Sequence, residues 1–233
     1  MQNTSFYEEQ YYKSSGYARI AEDEDYYYLL SEYWKYIIFT KRDLDPNKLT
    51  LDYGCGLGQV SASLPNVTYF DTSNYAVNFL TSKGKNAVIS QDAIPNNNFE
   101  YLLSSHSLEH SSTPTKDLRE FHKYLKPEGK LLLIIPVETQ FNSTLIPDHN
   151  QHLQCWTFQT ITNLLLYCGW KPVYQSLLNY PFLLNTLGLK LKLPLTQSIK
   201  TSVWLGELKK VSPSMFIIAE QTKTINLNTA ISD

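Results

Sequence analysis

The sequence predicts a doubly wound α/β fold on three observations. From residue 49 to residue 175, short apolar segments alternate with amphipathic ones, the rhythm of a sheet whose strands are joined through helices. The run KLLLII at 130–135 is apolar at every position after its lysine, as a strand buried on both faces must be. Three of only nine glycines (Gly54, Gly56 and Gly58) fall within five residues, directly after the first apolar segment. Glycine there permits positive φ and close approach to bare backbone.

In chain order, residues 26–40 read as a helix, because Leu29, Leu30, Tyr33, Trp34, Ile37 and Ile38 recur at three- and four-residue steps. KRDLDPNK is a polar linker ending in a turn. Residues 49–53 form the first strand, followed by the glycine loop and an expected helix. Strand 67–70, helix 73–82, and strands 87–90 and 101–104 come next. Helix 114–125 carries Pro114 in its first turn, where a missing N–H costs nothing. Strand 130–135 follows, then helix 157–168 stopped by Gly169, and strands 170–174 and 215–219. The organisation is an N-terminal helical cap at 1–44, an α/β domain at 45–221 with a leucine-rich insertion at about 178–212, and a polar tail at 222–233. The insertion suits packing on the core, a homodimer face or a lipid-linked substrate.

The composition (233 residues, 42% apolar, 18% charged) is globular and excludes fibrous and disordered classes. A net charge of −2 disfavours nucleic acid as the main partner. Three cysteines without CxxC spacing read as a reducing compartment with neither disulfide framework nor cysteine zinc site. MQNTSFYEEQ does not read as a secretory signal, and no apolar run reaches the roughly 18 residues of a membrane span. A cytoplasmic location is expected.

The loop Asp52-Tyr53-Gly54-Cys55-Gly56-Leu57-Gly58 departs from the dinucleotide pattern G-x-G-x-x-G, since Gln59 stands at the third glycine's place, and no Walker lysine follows. A nucleotide without pyrophosphate is the better fit. Asp71 ends the second strand 19 residues after Asp52, where a carboxylate accepts ribose hydroxyls; its alternative is a helix N-cap. Asp92 follows the third strand, placed either to read an adenine amino group or as a plain turn residue.

DYGCGLG, FDTS, QDAIP, NNFEYLLSSHSLEH and LKPEGKLLLIIP occur in that order. Together they resemble the class I S-adenosylmethionine-dependent methyltransferases, in the small-molecule (type 11 and type 23-like) branch. The resemblance spans roughly 45–175, departing at Glu128 and Leu57. It implies a Rossmann-like seven-stranded sheet of order 3-2-1-4-5-7-6 with the last strand antiparallel. It also implies S-adenosyl-L-methionine as cofactor, held by Asp52, Gly54, Cys55, Gly56, Gly58, Asp71 and Thr72, with Asp92 and Ala93 at the adenine and His106 passing the cofactor. The segments before the first strand and after the fifth supply a lid in this family. Nine of the 17 tyrosines lie in the first 36 residues, and Tyr11, Tyr12 or Tyr17 would present a ring face to the sulfonium. Packing as a cap is the competing use of these rings.

Of five histidines, His122 reads as a surface residue. His110, His149 and His152 flank places where loops meet above the sheet, and His152 opens an H-x-x-x-[FW]-[ST] segment that this family often carries there. They are the candidate general bases, or they only hold the site's shape. His106–His110 also fits H-x-x-E-H, but that zinc pattern needs a helix and a third ligand. An ion held by histidines and Asp148 to orient a diol is a further reading; no metal is assigned. The expected reaction is methyl transfer to a small-molecule hydroxyl, with transfer to an amine, or a non-catalytic cofactor-binding subunit, as alternatives.

Overall fold

The structure is a computed structural model that describes residues 7–14, 17–137, 151–210 and 213–222. Three helices come first: α1 (Glu9–Ser14), α2 (Ala18–Glu22) and α3 (Glu24–Ile38). Strands β1 (Thr50–Tyr53) and β2 (Val67–Phe70), helix α4 (Asn74–Ser82) and strands β3 (Asn86–Val88) and β4 (Phe99–Ser105) follow. Then come α5 (Pro114–Tyr124), β5 (Leu125–Pro136), α6 (Phe158–Tyr167), β6 (Trp170–Leu178), α7 (Leu195–Lys209) and β7 (Ser214–Gln221). The seven strands form one sheet of order β3-β2-β1-β4-β5-β7-β6. β7 runs antiparallel to both β5 and β6, while β1 to β5 pair in parallel. Order and direction are those the resemblance implied.

The KLLLII run behaves as two-sided burial requires. Leu132 and Ile134 join one core cluster with α3 and α7, and Leu131, Leu133 and Ile135 join the other with α5 and α6. Successive strand residues face opposite ways, so one apolar run feeds both layers. α3 starts on an Asp23 side-chain cap to the Tyr26 amide and buries Tyr27, Leu30, Tyr33, Trp34 and Ile38.

Two expectations need correction. The helix expected after the glycine loop does not form: residues 57–63 are successive turns, with Ser61 N donating to Gly58 O and Leu64 N to Ser61 O. Pro65 disfavours helical backbone at Leu64, leaving too few residues for a stable helix. Side chains of α3 serve the freed backbone instead, the Tyr27 hydroxyl donating to Leu57 O and Ser31 Oγ accepting from Ser63 N. His122 is half-buried, not a surface residue: it stacks on Trp170 at 4.0 Å and its Nε2 bonds Cys168 O. The described residues of the insertion form a π-turn at Thr186–Lys190 and α7. It puts Leu184, Leu187, Ile199 and Val203 inside and leaves Leu191, Trp204 and Leu208 exposed.

Candidate functional site

The carboxyl ends of β1, β2 and β4 meet at one cavity of about 470 Å³. Its floor is the glycine loop. Gly54 has φ +71°, and a Cβ there would sit 2.5 Å from Ser107 Cβ, so the loop after β4 can pack against β1 only if Gly54 stays bare. Gly56 N donates to Asp71 Oδ2 at 2.7 Å, and Ser73 N donates to Asp71 Oδ1 at 2.9 Å. Each carboxylate oxygen keeps lone-pair capacity after these bonds. Ser73, not Asp71, caps α4, its hydroxyl accepting from Ala76 N. Burial pushes the Asp71 carboxyl up against the pull of those amides.

Asp52 is buried under the loop and accepts from the Ser61 hydroxyl; burial raises its pKa to about 7. Burial also drives the Cys55 thiol well above its ordinary value. Asp52, Gly54, Cys55, Gly56, Asp71, Thr72, His106, His110 and Tyr17 all line the cavity. Gly58, Asp92, Ala93 and His152 are not among its lining residues. Gly58 faces the other way: a Cβ there would lie 2.7 Å from Leu80 Cδ2 and 2.9 Å from Tyr69. Asp92 and Ala93 are exposed on the short turn Gln91–Ala93, and Gln91 is the residue that turns inward, its amide donating to the Tyr53 hydroxyl.

The histidines converge on a residue the sequence reading passed over. Glu109 sits in the 3-10 turn Leu108–His110 with its side chain 0% exposed. Its backbone oxygen accepts from Leu153 N (2.9 Å) and Gln154 N (3.0 Å), which pins the segment carrying His152. Glu109 Oε1 lies 4.0 Å from His110 Nε2, 4.0 Å from His152 Nε2 and 3.6 Å from His106 Nδ1. The rings of His110 and His152 meet edge-to-face at 4.8 Å. Burial lowers the His110 pKa, against the attraction of Glu109. His149 and Asp148 lie outside the described residues.

The cap closes the cavity from above. Tyr7 hydroxyl bonds His110 Nδ1 at 2.9 Å, and the Glu8 carboxylate accepts from Asn74 N and Tyr75 N at the start of α4. Tyr12 lies over Gly56, stacks on Tyr75 and forms a ring cluster with Tyr11 and Tyr17. Burial pushes the phenols of Tyr11, Tyr12 and Tyr17 up, so they remain hydroxyls.

A family model described as a methyltransferase domain matches residues 23–175. The chain belongs to this methyltransferase family. The match takes in α3, the glycine loop, Asp71 and the histidine cluster. Among solved structures, the methyltransferase fold recurs in the Burkholderia thailandensis 1,6-didemethyltoxoflavin-N1-methyltransferase with S-adenosylhomocysteine bound (15% identity, 92% of this chain and 88% of that one, TM-score 0.55). It recurs in a chain of the complex between the Haloferax volcanii Trm112 methyltransferase activator and a methyltransferase (12% identity, 92% and 97%, TM-score 0.62). The [4+2]-cyclase SpnF shares it too (17% identity, 83% and 80%, TM-score 0.54). No curated protein matches the chain significantly.

The cofactor of this methyltransferase is S-adenosylmethionine, and the residues present fit it. Asp71 offers free lone pairs at the end of β2, and the Gly54 and Gly56 backbone is bare on the cavity side. When bound, it supplies a methyl group already activated on a sulfonium. Gln91, Tyr53, Gln59 and Tyr7 line the same cavity, and the sequence reading assigned none of them to the site. No helix among the described residues is long and apolar enough to cross a membrane.

Proposed function

We propose that this methyltransferase moves a methyl group to a hydroxyl of a small molecule, and that His110 or His152 takes the hydroxyl proton. The observation that carries this reading is the position of His110, which lines the cavity of the glycine loop while its ring meets His152 above buried Glu109. In-line attack needs the acceptor aligned and one proton removed, and alignment supplies most of the acceleration. Tyr17, Tyr11 and Tyr12 give the cavity rigid aromatic walls with hydroxyl tips, suited to a compact acceptor and a cationic centre. The three thiols of Cys55, Cys155 and Cys168, with no disulfide among the described residues, suit a reducing, cytoplasmic setting.

A screen of sugar and natural-product alcohols with labelled cofactor, read by mass spectrometry and proton spectra of the product, tests the reading. Labelled methyl on oxygen, with turnover reduced about 10²-fold or more in His110→Ala or His152→Ala, is the expected result. Full turnover in both variants would place the proton transfer elsewhere. The second reading is transfer to an amine, favoured by the aromatic ceiling and by the nitrogen acceptor named for the Burkholderia thailandensis structure. Label on nitrogen, with both histidine variants active, selects it.

A further inference from the structure

We propose that Glu109, His110 and His152 form a divalent-cation site beside the cavity, with zinc or a neighbouring first-row ion as occupant. The inference rests on the proposed function only for the placing of an acceptor beside His110; an ion-bound imidazole does not also take the hydroxyl proton, so with the ion in place its charge lowers the pKa of the acceptor hydroxyl in place of the histidine base.

Two observations carry it. The first is convergence. One donor atom from each residue lies within 4.8 Å of the other two, and the donors come from two separate segments, the turn after β4 and the chain before α6. Bonds of about 2.0–2.2 Å on a tetrahedral ion put donor atoms about 3.4 Å apart. The donors stand at 4.0–4.8 Å, so closing on an ion is a shift on the order of 1 Å. Two imidazoles and one carboxylate are also a donor set that first-row divalent ions accept.

The second is the state of Glu109 itself. Its side chain is fully buried, and neither carboxylate oxygen has a hydrogen-bond partner among the described residues. Leaving such a group without a partner costs several kcal/mol, so buried carboxylates are paired, hydrogen-bonded or on metals. Three imidazoles lie 3.6–4.0 Å from Glu109 Oε1, beyond hydrogen-bond distance. His106 is held through Nε2 by the Ser214 hydroxyl, and it is not in the group of mutually close donor atoms formed by Glu109, His110 and His152. Tyr7 completes the pattern, since its hydroxyl lies 2.9 Å from His110 Nδ1. That is the outer support a metal-bound imidazole keeps on its second nitrogen.

An ion here has three protein ligands and at least one position left, on the side His110 shares with the cavity. The class of acceptor this favours carries two neighbouring oxygens, a diol or catechol. Ion and proton compete for the same imidazole lone pairs, so occupancy rises with pH.

The test uses the full chain, stripped with chelator and saturated with S-adenosylhomocysteine, titrated with Zn²⁺ in a calorimeter and counted by elemental analysis. One ion per chain is expected. Glu109→Gln and His152→Ala should each weaken binding by at least about tenfold, while S-adenosylhomocysteine affinity stays within about twofold. No stoichiometric uptake, or equal uptake by both variants, overturns the inference. If a variant fails to fold, Co²⁺ on the wild-type chain decides: intense visible bands of a four- or five-coordinate ion support the site, and the weak spectrum of a six-coordinate hydrated ion overturns it. S-adenosylhomocysteine binding without zinc uptake removes this inference alone. Zinc uptake without any methylated acceptor removes the proposed function and leaves the site.

Discussion

Replacing Gly58 by alanine separates the two uses of the glycine loop. Gly58 holds φ +72°, and the added Cβ would lie 2.7 Å from Leu80 Cδ2, 2.9 Å from Tyr69 Cε1 and 3.2 Å from Tyr69 Cδ1. Both neighbours are fully buried, so neither swings into solvent. The left-handed backbone costs a non-glycine residue about 1–2 kcal/mol, and overpacking a filled core about 1–3 kcal/mol more. The sum, about 2–5 kcal/mol, lowers Tm by about 5–15 °C in a chain of this size. Gly58 does not line the cavity, so affinity for S-adenosylhomocysteine should stay within about twofold at a temperature where the variant is folded. Gly56→Ala is the companion. Its Cβ would meet only Tyr12, at 3.6 Å, so it loses less stability, while it alters the loop face that looks into the cavity. Thermal melts with and without S-adenosylhomocysteine, together with calorimetric titration, read both quantities. A Gly58→Ala chain that melts like wild type but binds more than about tenfold more weakly would refute the argument and return Gly58 to the cofactor.

Asp71→Asn keeps the shape but removes the charge behind two amide bonds and the ribose contact; a loss of about 1.5–3 kcal/mol means about 10–150-fold weaker S-adenosylhomocysteine binding by calorimetry, and an unchanged affinity would remove Asp71 from the site. Asp52 has its folded pKa raised to about 7, so the stability its bound proton contributes is full below about pH 4 and is lost as the pH rises through about 7. The swing is on the order of 4 kcal/mol, and Asp52→Asn should flatten it; parallel Tm-against-pH curves for the two chains would contradict this. Trp204, 61% exposed on α7, should accept serine with less than about 0.5 kcal/mol of change, and a larger, concentration-dependent loss of Tm would show that a second copy covers this face.

The sheet was legible because burial on two faces leaves no choice of residue: 131–135 could only be a central strand, and 67–70 matched β2 residue for residue. The turns at 57–63 were not legible, because a glycine loop at a strand end ordinarily opens a helix and the partners that replace it, Tyr27 and Ser31, lie far upstream. Gly58 illustrates a general limit. Its φ follows from residue type, but which side of the loop is bare depends on Tyr69 and Leu80, which only the fold brings near. His110 and His152 stood out as titratable residues in loops, whereas Glu109 looked like one more solvated carboxylate. Its burial depends on backbone bonds to Leu153 and Gln154, which pattern reasoning within HSLEH cannot reveal. The tyrosine excess marked where the cap lies. The bond from Tyr7 to His110 needed coordinates.

Two adjacent residues, Tyr7 and Glu8, make two separate contacts, one at His110 in the cavity wall and the other at the first amides of α4, which follows Asp71. One peptide bond ties the two contacts into a single strap. Whatever lifts it from α4 to let spent cofactor out also pulls a hydroxyl away from the imidazole at the acceptor end. Were both contacts to break together, exchange of the two small molecules would be coupled, and initial-rate kinetics would show a sequential order.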